Sequence, residues 1–251
     1  MFFCRTLLFL GACIGGLVAP VGDAHATEIT VMSDTPIAAA LGRIGELFRQ
    51  STGNDIKFVF GLSPAIHKKI IDGEPGDVLI IQSNFIDDLV TSGKLSAGQH
   101  PIIAKVGIGL FMRADGQAPD VSTIEAFRQA LLNADALVFS NVAAGNYFAT
   151  VLERLGISNA VKGKIVRASP PEVVARVLQG QGSEIGVMVV TLIQADKRLQ
   201  LIGALPADFQ SYLVYTAARL TTAPSPQVAG EFIDFLSSPQ ARKEFIASGA
   251  E

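Results

Sequence analysis

Along this chain, short apolar runs repeatedly end in small hydroxyl or amide residues, often with a proline, and then pass into a helical pattern. Strand ends therefore lead into helix N-termini, and such alternation predicts an α/β architecture with mostly parallel sheets. Several such termini converging on one cleft make an anion site, because first-turn N–H groups and the helix dipole both favour negative charge. The first turn follows Ile29-Thr30-Val31-Met32 and reads Ser33-Asp34-Thr35-Pro36, before a stretch with Ile37, Leu41, Ile44, Leu47 and Phe48 on one face. Thr35 is the expected N-cap and Pro36 the first helical residue, where its missing N–H costs nothing. A second turn places Ser63-Pro64 after the run 56–60, and a third runs from Ser140 to Asn146 after 136–139. A fourth, Ser169-Pro170-Pro171-Glu172, has the spacing of a capping box. Ser122 with Glu125 repeats that spacing but follows a loop, and is read as structural only.

The N-terminus carries Arg5, an apolar core over 6–19 and Ala24-His25-Ala26, the pattern of a secretory signal peptide spanning 1–26. Its core is too short for a membrane span. Cleavage after Ala26 would leave 251 − 26 = 225 residues. Leu10-Gly11-Ala12-Cys13 loosely fits a lipoprotein signal, although the apolar stretch continues past Cys13. Both cysteines, Cys4 and Cys13, fall in this leader, so a periplasmic mature chain would depend on its core and not on disulfides. A chain of this size buries roughly 70% of its unfolded surface, which is sufficient. The net charge of −3 and the lack of a basic patch argue against a nucleic-acid partner. His67 and His100 are isolated, so no metal site is expected, and the scattered glycines form no phosphate loop. No cofactor is implied.

Strands are predicted at 28–32, 56–60, 77–81, 106–112, 136–140, 164–168, 184–190, 199–203 and 212–219. Helices are predicted at 36–50, 64–72, 84–91, 122–132, 145–155, 170–179, 226–237 and 239–248. Gly53, Gly73, Gly93, Gly156 and Gly180 stand where helix ends are expected. Two long strand-like runs, 104–113 and 211–220, bracket the middle of the chain. They suggest crossovers between a first lobe of 27–105 with 213–251 and a second lobe of 106–212.

Taken in order, these features resemble the molybdate-type periplasmic substrate-binding proteins of ABC importers. The matching motifs are Glu74-Pro75-Gly76-Asp77-Val78, Ala143-Ala144-Gly145-Asn146-Tyr147, Leu155-Gly156-Ile157, Glu184-Ile185-Gly186 and Ser237-Ser238-Pro239-Gln240-Ala241. The resemblance implies a two-lobed type II periplasmic-binding-protein fold, each lobe a mostly parallel sheet flanked by helices, with the ligand between the lobes. It also implies a monomer that captures a small anionic ligand, an oxyanion or a di- or tricarboxylate, and delivers it to an ABC permease in the inner membrane. Where the molybdate proteins place a first-turn serine, this chain has Pro36, and Asp34 in the same turn would repel a desolvated dianion by several kcal/mol. Arg113, Asp120-Val121-Ser122 and the run from Gln210 to Tyr215 are similar to a divergent branch of the family that includes aconitate isomerase.

The expected ligand residues are Ser33, Asp34, Thr35, Ser63, Lys105, Ala143, Gly145, Asn146 and Tyr147. Open α/β sheets bind ligands at the C-terminal ends of strands, where Ser33 and Asp34 fall. Thr35 and Ser63 also serve as plain helix caps, and the Ala143-Ala144-Gly145 run is equally a tight strand-to-helix turn. Lys105 would put an ammonium at the cleft mouth, or be only solvated. Arg113 and Arg167 are further cations with structural alternatives, and His67 is expected on an exposed helix face. If the chain is an isomerase, Asp34 is the candidate base, as the only acid in the ligand turns.

Overall fold

A computed structural model describes residues 26–98 and 100–251. The expected leader, with Cys4, Cys13 and the lipobox, lies outside the described residues but for Ala26.

The chain opens with β1 (Glu28–Asp34), a 3₁₀ turn over Thr35–Ile37, and α1 (Ala38–Thr52). Next come β2 (Asp55–Gly61), α2 (Ser63–Ile71), β3 (Val78–Gln82) and α3 (Ile86–Thr91). The long β4 (Ile102–Arg113) leads into α4 (Ile124–Asn133), β5 (Ala136–Ser140), α5 (Ala143–Arg154), α6 (Ser158–Val161) and β6 (Ile165–Ala168). There follow α7 (Pro170–Gln179), β7 (Glu184–Val189), α8 (Val190–Ala195) and β8 (Leu199–Ala204). The chain closes with β9 (Tyr212–Arg219), α9 (Pro226–Leu236) and α10 (Pro239–Ala247).

Two parallel groups, β2-β1-β3 and β6-β5-β7, form the centres of the lobes. Among the described residues, every antiparallel pairing between these strands involves β4 or β9, the two that cross between the groups. From Ile102 to Gly107, β4 pairs with β9; from Ile108 onward it pairs with β7, and with β8 from Gly109. At this change of partner, the Gln210 side chain accepts from the Ile108 N–H at 2.9 Å and donates to the Ile108 carbonyl at 3.0 Å. An amide side chain thus satisfies both backbone groups of Ile108 where the strand passes from one lobe to the other.

The first lobe is sealed by aromatic packing. Phe48 of α1 meets Phe232 and Phe235 of α9 edge-on, with ring centroids 5.2 and 5.5 Å apart. In the second lobe Phe139 of β5 meets Phe148 of α5 at 5.1 Å. Each such buried ring contributes about 1.5–3 kcal/mol through area removed from water. The buried Asp77, in the Gly-Asp-Val motif, accepts the Thr30 N–H at 2.9 Å and the Ser225 N–H at 2.8 Å. It ties β1 to the start of α9.

Gly53, Gly73, Gly93 and Gly156 take left-handed φ values of 77°, 93°, 68° and 69° at helix ends, as expected. Gly180 does not. Its φ is −63°, and the atoms near its Cβ position are the Glu184 carboxylate, the movable end of a flexible side chain, so handedness does not require glycine there. Thr35 is not an N-cap: β1 continues through Ser33 and Asp34, which pair with Phe60 and Gly61, and Asp34 takes the cap position. Thr123, not Ser122, caps α4, its side chain accepting from the Ala126 N–H at 3.1 Å. The helices α6 and α8 were not foreseen. The run from Val187 to Ile193 is continuously apolar except for Thr191, so periodicity cannot mark where β7 gives way to α8. Among the described residues no helix is long and apolar enough to cross a membrane.

Candidate functional site

The C-terminal ends of β1 and β3 and the start of α2 face the end of β5, the start of α5, the start of α7 and the β7–α8 junction across a cavity of about 850 Å³, counting the space open to solvent. Asp34, Ser63 and Gln82 line one side of it, with Pro36, Pro64 and Phe85. Ser140, Val142, Ala143 and Ala144 line the other, with Val173, Met188 and Leu192.

Among the described residues Asp34 is the only ionisable side chain that lines it, and it is 1% exposed. Oδ2 accepts from Ser63 Oγ at 2.5 Å and from Gln82 Nε2 at 3.2 Å. Ser63 Oγ in turn accepts the Gln82 N–H at 3.2 Å, so its proton is directed at Asp34. Burial raises the Asp34 pKa above the usual carboxylate value, and the hydrogen bonds from Ser63 and Gln82 pull against that shift. Tyr215 of β9 packs near this carboxyl. Its own pKa is raised, first by burial and then by the Asp34 charge. Asp34 Oδ1 and the Tyr215 hydroxyl are both buried, and the Tyr215 O–H and the Thr35 N–H approach this carboxyl short of good hydrogen-bond geometry.

Of the sequence-derived candidates, Asp34, Ser63 and Ala143 line the cavity. Ser33 is fully buried and its Oγ reaches only the Asp34 carbonyl, at 3.4 Å, because neighbouring residues on a strand face opposite sides. Thr35 is exposed and lies outside the lining. Lys105 lies between the buried Ala104 and Val106 and so points to the other face of β4, where its backbone exchanges two 2.8 Å hydrogen bonds with Glu251. The Gly145 Cβ position falls 1.9 Å from the Ser140 carbonyl oxygen, so the missing side chain admits the end of β5. Asn146 bonds the Asn141 carbonyl at 3.2 Å and Arg167, and the Tyr147 hydroxyl donates to the Phe209 carbonyl at 3.0 Å. Neither lines the cavity. Arg113 donates to the Gly180 carbonyl at 2.7 Å, and Arg167 stacks on Phe139 at 4.7 Å. His67, expected in solvent, is half-buried and pairs with Asp88 at 2.6 Å, joining α2 to α3.

Gln82, Phe85, Ser140, Met188, Leu192 and Tyr215 were not singled out as ligand residues. Gln82 had a signal, since it ends β3 just as Asp34 ends β1. The apolar wall had none, because a lining Met or Leu reads like core.

Residues 29–251 match the family model for bacterial extracellular solute-binding proteins. The chain belongs to this family. As a solute-binding protein it is 24% identical to the aconitate isomerase of a Pseudomonas species, over 96% of this chain and 94% of the relative. It is also 24% identical to the molybdate-binding protein ModA of Azotobacter vinelandii, over 98% and 96%. The solved periplasmic molybdate-binding protein of Azotobacter vinelandii superposes with a TM-score of 0.73 at 19% identity, covering 89% of this chain and 98% of that one. The sulfate-binding protein SubI of Mycobacterium tuberculosis gives 0.67 at 18% identity, covering 89% and 86%. The two-lobed type II periplasmic-binding-protein fold and the family drawn from the motifs both hold.

Proposed function

We propose that the protein captures a small anion in the interlobe cleft, outside the cytoplasm, and passes it as a monomer to an ABC permease in the inner membrane. One observation carries this reading: the start of α5 in one lobe and the Asp34–Ser63–Gln82 group in the other line the same cavity. Backbone amides at the start of α5 favour negative charge without a counter-ion. Closing of the lobes at β4 and β9 then removes the guest from water.

The test is a thermal-shift screen of the purified protein against oxyanions and mono-, di- and tricarboxylates. A true ligand at a hundredfold excess over its dissociation constant adds about 2.7 kcal/mol of stability. If no anion stabilises the protein, the reading is wrong.

The burial of Asp34 favours a second reading, an isomerase of the aconitate type. A general base works best with a pKa near the working pH, and burial moves this carboxyl in that direction. Such activity would appear as a change in the ultraviolet absorbance of trans-aconitate that Asp34→Asn abolishes.

A further inference from the structure

Hydrogen-bond donors meet this cleft from one side. Ser140 ends β5 at 6% exposure and lines the cavity. Buried hydroxyls are normally hydrogen-bonded, yet among the described residues no partner holds this one. It is also not sealed in, as the unpartnered Thr191 Oγ1 and Gln200 Oε1 are, so it opens onto the cavity. Strand geometry agrees. Phe139 packs on Phe148 of α5, so Ser140 turns to the opposite face of the sheet. The crossovers β5–α5–β6 and β6–α7–β7 run in opposite directions along the sheet, which places α7 on that face. There Pro170 and Val173 line the same cavity.

Beside Ser140, α5 starts with N–H groups that have no acceptor. Its first intrahelical bond runs from the Asn146 N–H to the Val142 carbonyl at 2.9 Å, which leaves Ala143, Ala144 and Gly145 without one, and no side chain caps the turn. The starts of α2 and α7 are closed. In α2, Pro64 has no N–H, and Ala65 and Ile66 both donate to the Leu62 carbonyl, at 2.8 and 3.0 Å. In α7, Pro170 and Pro171 have none, Glu172 is engaged in a capping box and Val173 donates to the Ser169 carbonyl at 3.0 Å.

The facing wall offers an anion little. Ser63 and the Gln82 amide both spend their protons on Asp34, and Asn84 is exposed. The rest of that wall is Pro36, Leu62, Pro64 and Phe85. An oxyanion with charge on every side would press its far oxygens against carbon, stripped of water and without donors. A second carboxylate on the guest would meet the same wall, with no lining cation among the described residues to offset it.

Resting on the anion-capture reading, we propose that the solute is a small monocarboxylate with a wholly apolar body. Its carboxylate accepts from the Ser140 hydroxyl and from the Ala143 and Ala144 N–H groups, and its body packs against Phe85, Met188 and Leu192. Ser140 is then a binding residue whose hydroxyl serves the guest and not the fold.

Isothermal titration calorimetry with 3-methylbutanoate, phenylacetate, 3-methylbutanamide, succinate, tricarballylate, sulfate and molybdate tests this. A hydrogen bond to a charged group is worth about tenfold or more in affinity. One of the two monocarboxylates should bind tighter by about that factor than succinate, tricarballylate and both inorganic anions. Ser140→Ala should weaken that binding by a similar factor with the melting temperature unchanged. Tightest binding by succinate, tricarballylate, sulfate or molybdate, or full monocarboxylate affinity in Ser140→Ala, overturns the proposal and leaves anion capture intact. A lowered melting temperature in Ser140→Ala, or loss of its fold by circular dichroism, also overturns it, because the hydroxyl then has a partner inside the protein. Binding of 3-methylbutanamide as tight as that of 3-methylbutanoate, or silence from every compound, sinks anion capture and this proposal together.

Discussion

Ser63 Oγ lies 2.5 Å from Asp34 Oδ2, joining the start of α2 to the end of β1 across 29 positions of chain. Both residues are buried, so the contact fixes the cavity-facing wall of the first lobe.

Ser63→Ala removes one of the two side-chain donors to that oxygen and leaves the Gln82 N–H without its acceptor. Unpaired buried polar groups cost about 1–3 kcal/mol each. Urea denaturation should show a stability loss in that range.

The Asp34 pKa is raised, so the folded chain holds this proton at pH values where the unfolded chain has released it. Its contribution to stability is full below the ordinary aspartate value of about 3.9 and is lost as pH rises through the folded value. Asp34→Asn should flatten the unfolding free energy across that window, measured by denaturation at successive pH values. Glu46, held at about 2 by Arg49 and then Gln50, acts in the other direction at lower pH, where its contribution is lost as pH falls. A profile that the Asn variant leaves unchanged would remove Asp34 from this role.

Gly145→Ala places a methyl 1.9 Å from the Ser140 carbonyl oxygen, against backbone that cannot rotate away. Overpacking of this kind costs about 1–3 kcal/mol, and here it also shifts the start of α5, so solute affinity should fall with stability. Gly42→Ala, in α1 with open space around the new methyl, should instead stabilise by about 0.5–1 kcal/mol. Thermal melts of the two variants give the comparison.

Gln210→Leu takes away the acceptor of the Ile108 N–H and one of two donors to its carbonyl, which keeps the Leu205 N–H at 3.1 Å, at the point where β4 leaves one lobe for the other. The expected loss is about 1–3 kcal/mol for the N–H left unsatisfied. Hydrogen exchange should accelerate at the Ile108 amide more than in the parallel core strand β1.

Most strand-to-helix order was readable from local chemistry. The run 136–140 and the helix 170–179 stand where their apolar patterns and prolines put them. The cleft was readable only in part. Asp34 and Ser63 announce themselves as polar residues at element ends, while strand parity turns Lys105 away from the cavity and Asn146 and Tyr147 bond the Asn141 and Phe209 carbonyls outside its lining.

What the sequence determined by itself is the alternation of elements, because propensity, capping and hydrophobic period act over a few residues. Only the tertiary structure decided that Ser63 is turned onto Asp34, that Gly145 serves packing, and that α5 keeps open amides while proline and capping close those of α7. Those outcomes depend on distances between segments far apart in the chain, which hydrogen-bond geometry and close packing settle to within a few tenths of an ångström.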